Sequence, residues 1–271
     1  LVGAAGEVTS VDIDEDIVVA AAEHLVAAGC PDVVLVTGDG ALGYPAGAPY
    51  DRVVLTVGAA DLRPEWVAQL ATGGRLLLPL RVRGSQLSVA LDLGADGVLR
   101  SASVRSCAFI RLRGAGAGGD QVCNWLPQAS RLSVADVWDG LGLWIALAEP
   151  TAFRLLARDA AAGSAVAAEL VEIGGARATI AVPGVGGFVA LVQDEHGGPA
   201  RIRCHGDVAP GVGARVAALV EAWVTAERPH SADLQLTAFP REQSTSAAAG
   251  GRVVGLASAT LLVEYPRARV G

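Results

Sequence analysis

The sequence predicts an α/β protein: a largely parallel sheet in the first part of the chain, followed by a smaller α+β unit. Three observations predict it. Short apolar runs at 7–13, 33–37, 51–57 and 75–80 alternate with helical periodicity at 15–28 and 64–71, the pattern of parallel strands covered by helices. Beyond residue 80 the pattern changes, because 85–93 and 99–112 alternate in polarity with no helix between them and so read as antiparallel strands. The chain has 271 residues, 52% of them hydrophobic, which is enough apolar surface for real cores.

Each element has a local cause. EVTSVDI (7–13) is rich in β-branched residues and reads as a strand, and EDIVVAAAEHLVAA (15–28) as an amphipathic helix stopped by Gly29. VVLVT (33–37) and DRVVLTV (51–57) are the next strands. PEWVAQLA (64–71) begins with proline at a helix start and stops before Gly73-Gly74, where the strand RLLLPL (75–80) takes over. The glycine-rich GAGAGGD (114–120) reads as a linker, dividing a first domain over 1–113 from a second over 126–271, with 114–125 between them. In the second domain, 134–160 reads as largely helical with Pro150 at a boundary, 188–206 as a hairpin and 212–227 as an amphipathic helix. The segments 234–239 and 253–265 read as closing strands around a loop, REQSTSAAAGG.

The net charge of −7, with scattered arginines and no lysine, argues against a nucleic-acid partner, which needs clustered cations. No apolar run is long enough to span a bilayer and the start lacks a secretion signal, so a soluble cytoplasmic protein is expected. Cys30, Cys107, Cys123 and Cys204 are far apart with no CxxC pair, which favours structural thiols over a metal site. His24 falls inside a helix and His196 in a turn, and Ser130, Ser133 and Asp136 form no nucleophile arrangement with a nearby histidine. Gly184 to Gly187 precedes a strand and reads as a turn. Trp125, Trp138, Trp144 and Trp223 read as core or interface residues, with a peptide groove as the alternative.

One short stretch carries most of the functional signal. The strand at 7–13 ends in Asp12, followed by Asp14, Glu15 and Asp16. The last three suit the cap and first turn of the following helix. Asp12 precedes the cap, at the tip where nucleotide-binding α/β folds place an acid on the ribose hydroxyls, about 20 residues after a glycine-rich turn. A carboxylate accepts the two donors of a vicinal diol in parallel. Counting back from Asp12 overshoots residue 1, so the first strand and its glycine-rich turn are expected to be missing, and the sheet to be N-terminally truncated. Gly38-Asp39-Gly40 follows the next strand, where small residues admit a ligand and Asp39 can accept from an exocyclic amine.

Residues 6–80 closely resemble the protein-L-isoaspartate O-methyltransferase family, through SVDID, GDGALGYPAGAPYDRVVLTVGA and LATGGRLLLPL. The resemblance implies an S-adenosylmethionine-dependent, Rossmann-like class I methyltransferase fold. It assigns Asp12 to the ribose and Asp39 to the adenine, puts Ile13 and Gly40 beside the ring, and puts Val57, Gly58 and Ala59 near the methyl acceptor. CAFIRLRG (107–114) and VWDGLGLWIALAEPTAFRLLA look like a longer subgroup associated with modifying ribosomal peptides, notably lanthipeptides. That likeness implies a protein or precursor-peptide partner carrying Asp or isoAsp. Arg111 stands where proline is common in the strand near the substrate.

Methylation of a carboxylate needs no general base, because the nucleophile is already anionic at neutral pH. A lack of triads and metal ligands therefore fits the expectation of an enzyme that aligns two reactants. Within that class, general isoaspartate repair competes with dedicated peptide maturation. From other classes come a non-catalytic peptide-binding module derived from such an enzyme, and a nicotinamide-dependent oxidoreductase using Asp12 on its ribose.

Overall fold

The computed structural model describes residues 2–3, 5–107, 109, 136–156, 172–173, 176–185, 187–192, 201–206, 208, 210–241 and 251–266. It is a mixed α/β structure. Strand β1 (Thr9–Asp12), helix α1 (Glu15–Ala27) and strand β2 (Val34–Thr37) form a β-α-β unit with β1 and β2 parallel. Then β3 (Tyr50–Val54), α2 (Pro64–Ala68) and β4 (Leu70–Val82) form a second parallel pair, to which β5 (Ser85–Leu93) and β6 (Leu99–Ser106) add antiparallel strands. The parallel-then-antiparallel order matches the sequence reading, with the two parallel pairs lying in separate sheets among the described residues.

Two boundaries differ from the sequence reading. Helix α2 stops at Ala68, because Gln69 is drawn into the sheet by a 2.8 Å hydrogen bond from the Tyr50 N–H to its carbonyl, so β4 starts before Gly73. The register shift between Tyr50 and Arg52 absorbs the extra residues, with Gly73 at φ +77°, a conformation open to glycine. The core of this sheet is the inward face of its central strands, where Leu76, Leu78, Leu80, Leu87, Val89 and Leu91 are almost fully buried. Each such side chain contributes about 1.5–3 kcal/mol. On the opposite face Arg75 pairs with its cross-strand neighbour Asp92 through two hydrogen bonds, which hold the carboxyl below its usual range.

Further along the chain, Asp136–Gly140 forms a π-helical turn leading into α3 (Leu141–Ala148). FRLL, read as helix from the sequence, is instead strand β7 (Phe153–Leu156). It pairs with β9 (Ala176–Gly184), which also carries the short β8 (Glu172–Ile173) and is followed across the sheet by β10 (Gly187–Val192) and β11 (Arg201–Gly206). Gly184 and Gly187 face each other at a β9–β10 hairpin, so this glycine stretch is a turn. Helix α4 (Pro210–Thr225) covers this second sheet with Val212, Val216 and Trp223.

The closing strands go to an unexpected place. VVGLASATLLVEY is a hairpin of β13 (Arg252–Gly255) and β14 (Ala259–Glu264), and β14 pairs with β12 (Gln235–Pro240), which pairs with β6. The first sheet therefore has seven strands in the order β13-β14-β12-β6-β5-β4-β3. The expected linker over 114–125 lies outside the described residues, and this sheet draws strands from both sides of it. Helix α3 sits between the two sheets. Its Leu143 and Leu147 belong to the core of the seven-stranded sheet, and Leu141, Ile145 and Ala146 to the core of the other. An i, i+4 pair on each of two opposed faces, in a helix apolar all round, is what burial on both sides requires.

The junction around α3 holds buried polar groups. His230 lies 3.4 Å from the Asp136 carboxylate and 3.6 Å from that of Asp139, and Trp144 packs on Tyr265 with ring centroids 5.0 Å apart. The Tyr265 hydroxyl is buried and has no hydrogen-bond partner among the described residues. Burial, then the charges of Asp139 and Asp233, push its pKa up. A raised folded-state value means the stabilising contribution is complete below the unfolded tyrosine pKa of about 10 and is lost as pH rises from there towards the folded value. Tyr265→Phe is expected to flatten the fall in melting temperature above pH 10, and to change stability little at pH 7 because the lost hydroxyl made no bond. Parallel melting curves against pH for the two proteins would contradict this.

Candidate functional site

The site begins at the carboxyl ends of β1 and β2. Their parallel register pairs Asp12 with Thr37, and the ladder runs one step further through a 2.8 Å hydrogen bond from the Gly38 N–H to the Asp12 carbonyl. Asp12 and Asp39 therefore emerge at the same end of adjacent strands. Open α/β sheets bind ligands outside that end.

Local turns fix both carboxylates. Asp12 Oδ1 accepts the Asp14 N–H at 3.0 Å, which turns the chain from β1 into α1. Asp14 is the N-cap residue of that helix and Glu15 and Asp16 lie in its first turn, where the helix dipole favours acids. Asp39 caps a 3-10 turn over Gly40–Leu42, its Oδ1 accepting the Ala41 N–H at 2.9 Å. Ile13 is 39% exposed, and a Cβ added to Gly40 would meet nothing within 4 Å.

The loop carrying Asp39 is fastened by residues the sequence reading passed over. The buried Trp66 donates from Nε1 to the Gly40 carbonyl at 2.8 Å. Gln69 donates from Nε2 to the Leu42 carbonyl at 2.7 Å and accepts the Tyr44 N–H on Oε1 at 2.8 Å, while the Tyr50 hydroxyl donates to the Tyr44 carbonyl at 2.7 Å. Gly43 has φ +63°, and a Cβ there would lie 2.5 Å from Gln69 Oε1, so this position excludes a side chain twice over. The available signal was the spacing of Trp66 and Gln69, three apart and hence on one side of a short helix.

Val57, Gly58 and Ala59 follow β3 at its carboxyl end, with Gly58 and Ala59 buried and Val57 half-buried. Ala59 is locked to β4: its N–H donates to the Pro79 carbonyl and its carbonyl accepts from the Arg81 N–H, both at 2.8 Å. The link between this group and the Asp39 loop runs through α2, which starts a few residues after Ala59 and reaches Gly40 through Trp66. Nearby Asp61 is buried and accepts from the Ser258 N–H at 3.1 Å, tying this turn to the β13–β14 hairpin.

The remaining residues singled out in the sequence fall in different places. His24 is exposed on α1 and Trp223 is fully buried, donating to the Pro229 carbonyl at 3.0 Å. Trp144 is half-buried against Tyr265. Asp136 does meet a histidine, His230, which distance in sequence concealed. Cys30 is exposed and Cys107 half-buried, both free thiols. Trp125, Ser130, Ser133, Cys123, Arg111 and His196 lie outside the described residues. Among the described residues no set of three His, Cys, Asp or Glu side chains is placed to hold a metal, and no helix is long and apolar enough to cross a membrane.

Residues 1–116 match the family model of protein-L-isoaspartate(D-aspartate) O-methyltransferase (PCMT). The chain is 45% identical over 85 residues to protein-L-isoaspartate O-methyltransferase 1 of Anaeromyxobacter sp. (strain Fw109-5), covering 31% of this chain and 40% of that protein. It is 39% identical over 110 residues to the protein-L-isoaspartate O-methyltransferase of Anaeromyxobacter dehalogenans (strain 2CP-1 / ATCC BAA-258), covering 40% of this chain and 53% of that protein. It thus spans about half, or less, of the length of these curated relatives. A solved protein-L-isoaspartate O-methyltransferase superposes on 87% of this chain and 65% of its own, at a TM-score of 0.42 and 24% identity.

Proposed function

We propose that this protein is an S-adenosylmethionine-dependent O-methyltransferase acting on isoaspartyl or aspartyl carboxylates of a protein or peptide. The observation that carries the reading is the placement of Asp12 and Asp39 at the carboxyl ends of adjacent parallel strands, within the segment that matches the methyltransferase family. In this reading Asp12 accepts from the ribose hydroxyls and Asp39 from the adenine amine, with Ile13 and Gly40 against the ring. These residues address the adenosine half of the cofactor. When bound, S-adenosylmethionine supplies a methyl group made electrophilic by its sulfonium. The buried backbone of Gly58 and Ala59, with Val57, forms the dry wall at which the acceptor carboxylate is aligned. Alignment and exclusion of water account for the rate, because an ionised carboxylate has no proton to lose.

Dedicated peptide maturation is favoured over general repair. The support is the second unit, with α3 buried in both cores, which supplies surface that methyl transfer alone does not need. On this reading the partner is a precursor peptide bearing Asp or isoAsp, of the lanthipeptide kind. The test is transfer of labelled methyl from S-adenosylmethionine to synthetic peptides that differ only in carrying isoaspartate, aspartate or asparagine at one position. Alkali-labile label on a carboxylate peptide and none on the asparagine peptide is the expected result. No label on any peptide, with cofactor demonstrably bound, would leave a non-catalytic binding module as the better reading.

A further inference from the structure

The loop that leaves β3 is fastened at three points, and the middle one reaches the C-terminal hairpin. Ala59 is bonded to β4 through both its N–H and its carbonyl, and Trp66 on α2 holds the Gly40 carbonyl. Between them Asp61 is 9% exposed, and its Oδ1 accepts the Ser258 N–H at 3.1 Å although 197 positions separate the two in the sequence. Strands β3 and β13 are the outermost of the seven-stranded sheet, so this bond brings the last hairpin back to the loop that follows β3. Ala59 and Leu62 share one core with Val254 and Ala259, which flank the hairpin turn.

The turn is also held from its other side. Arg241, just past the end of β12, donates its backbone N–H to the Ser258 carbonyl at 3.3 Å and its Nη1 to the Ala257 carbonyl at 2.6 Å. Ser258 is thus gripped on its carbonyl by Arg241 and on its N–H by Asp61. Taking a carboxylate out of water costs free energy, and an apolar side chain would serve packing alone. What the carboxylate adds is a strong, directional bond to a backbone donor. That bond fixes the chain two residues from Ala59, in the stretch assigned to the acceptor wall. The Asp39 loop has its own fastenings in Trp66, Gln69 and Tyr50, and Asp12 is held by the Asp14 N–H.

We propose that Asp61 is a positioning residue: through Ser258 it makes the β13–β14 hairpin the support of Val57, Gly58 and Ala59, so that the hairpin sets acceptor alignment without acting on the cofactor. The proposal rests on the methyltransferase reading, in which alignment of the two reactants carries the rate.

The test measures methyl transfer from S-adenosylmethionine to an isoaspartate peptide by the 271-residue chain, with S-adenosylhomocysteine binding measured beside it. Asp61→Ala is expected to lower kcat about tenfold or more, with the KM for S-adenosylmethionine and the affinity for S-adenosylhomocysteine unchanged. Asp61→Asn keeps an acceptor oxygen and is expected to hold kcat within about twofold of the parent. Arg241 is exposed, and Arg241→Ala should lower kcat by loosening the same turn. Combined with Asp61→Ala it should add little, as expected of residues that act through one element. In parallel, the Ser258 amide should exchange faster in Asp61→Ala and stay protected in Asp61→Asn. An unchanged kcat in Asp61→Ala, with the Ser258 amide exchanging fast, would make the bond a structural tie and overturn the proposal. A loss in Asp61→Asn equal to that in Asp61→Ala, or a fall in S-adenosylhomocysteine affinity in step with kcat, would overturn it too. Each of these results comes from an active parent and sinks the proposal alone. A parent chain that methylates no peptide removes the methyltransferase reading itself, and the proposal with it.

Discussion

Trp66→Ala is expected to lower stability by about 3–5 kcal/mol, the usual cost of truncating a buried tryptophan. Trp66 is 2% exposed in the core of the seven-stranded sheet, and its indole N–H holds the Gly40 carbonyl at 2.8 Å. The substitution therefore removes packing and loosens the loop that carries Asp39. Trp66→Phe separates the two effects, because it keeps much of the ring volume and deletes only the donor. Its expected cost is about 0.5–1.5 kcal/mol, the net worth of one hydrogen bond, because the Gly40 carbonyl still accepts from the Gly43 N–H at 3.2 Å, together with weaker cofactor binding. Denaturant unfolding measures the stability change, and a cost for Trp66→Phe as large as for Trp66→Ala would contradict the division.

Leu143→Ala is expected to cost about 2–5 kcal/mol, and the same holds for Ile145→Ala. Both side chains are fully buried on α3, Leu143 against the seven-stranded sheet and Ile145 against the other. A single helix serving both cores couples their stability, so each substitution should shift one common unfolding transition. Two separate transitions, with Leu143→Ala moving only one, would show that the cores unfold independently.

What was legible in the sequence is what local chemistry encodes. Gly29 ends α1, alternation marks β5, and the order strand, acid, helix around Asp12 follows from spacing alone. Partner choice between distant strands has no local signature. Residues 235–240 and 259–264 are ordinary alternating strands, and nothing in them announces that they extend the sheet built by 50–106. The turn at Leu256–Ala259 contains no glycine or proline of its own, so two strands read as one. FRLL follows helix-forming sequence and became a strand because it could pair with β9. At the site, Asp12 and Asp39 were visible because they sit at strand ends. Trp66, Gln69 and Asp61 were not, since each acts by reaching a backbone that only the folded chain brings near.

The most direct measurement is calorimetric titration of the chain with S-adenosylhomocysteine and with 5′-methylthioadenosine, which lacks the amino-acid portion, repeated for Asp12→Ala and Asp39→Ala. The expected result is binding of both ligands with similar affinity, weakened roughly tenfold or more by either substitution, as the loss of a hydrogen bond to a charged group implies. Absence of binding by the folded parent chain, or binding indifferent to both substitutions, would contradict the cofactor assignment.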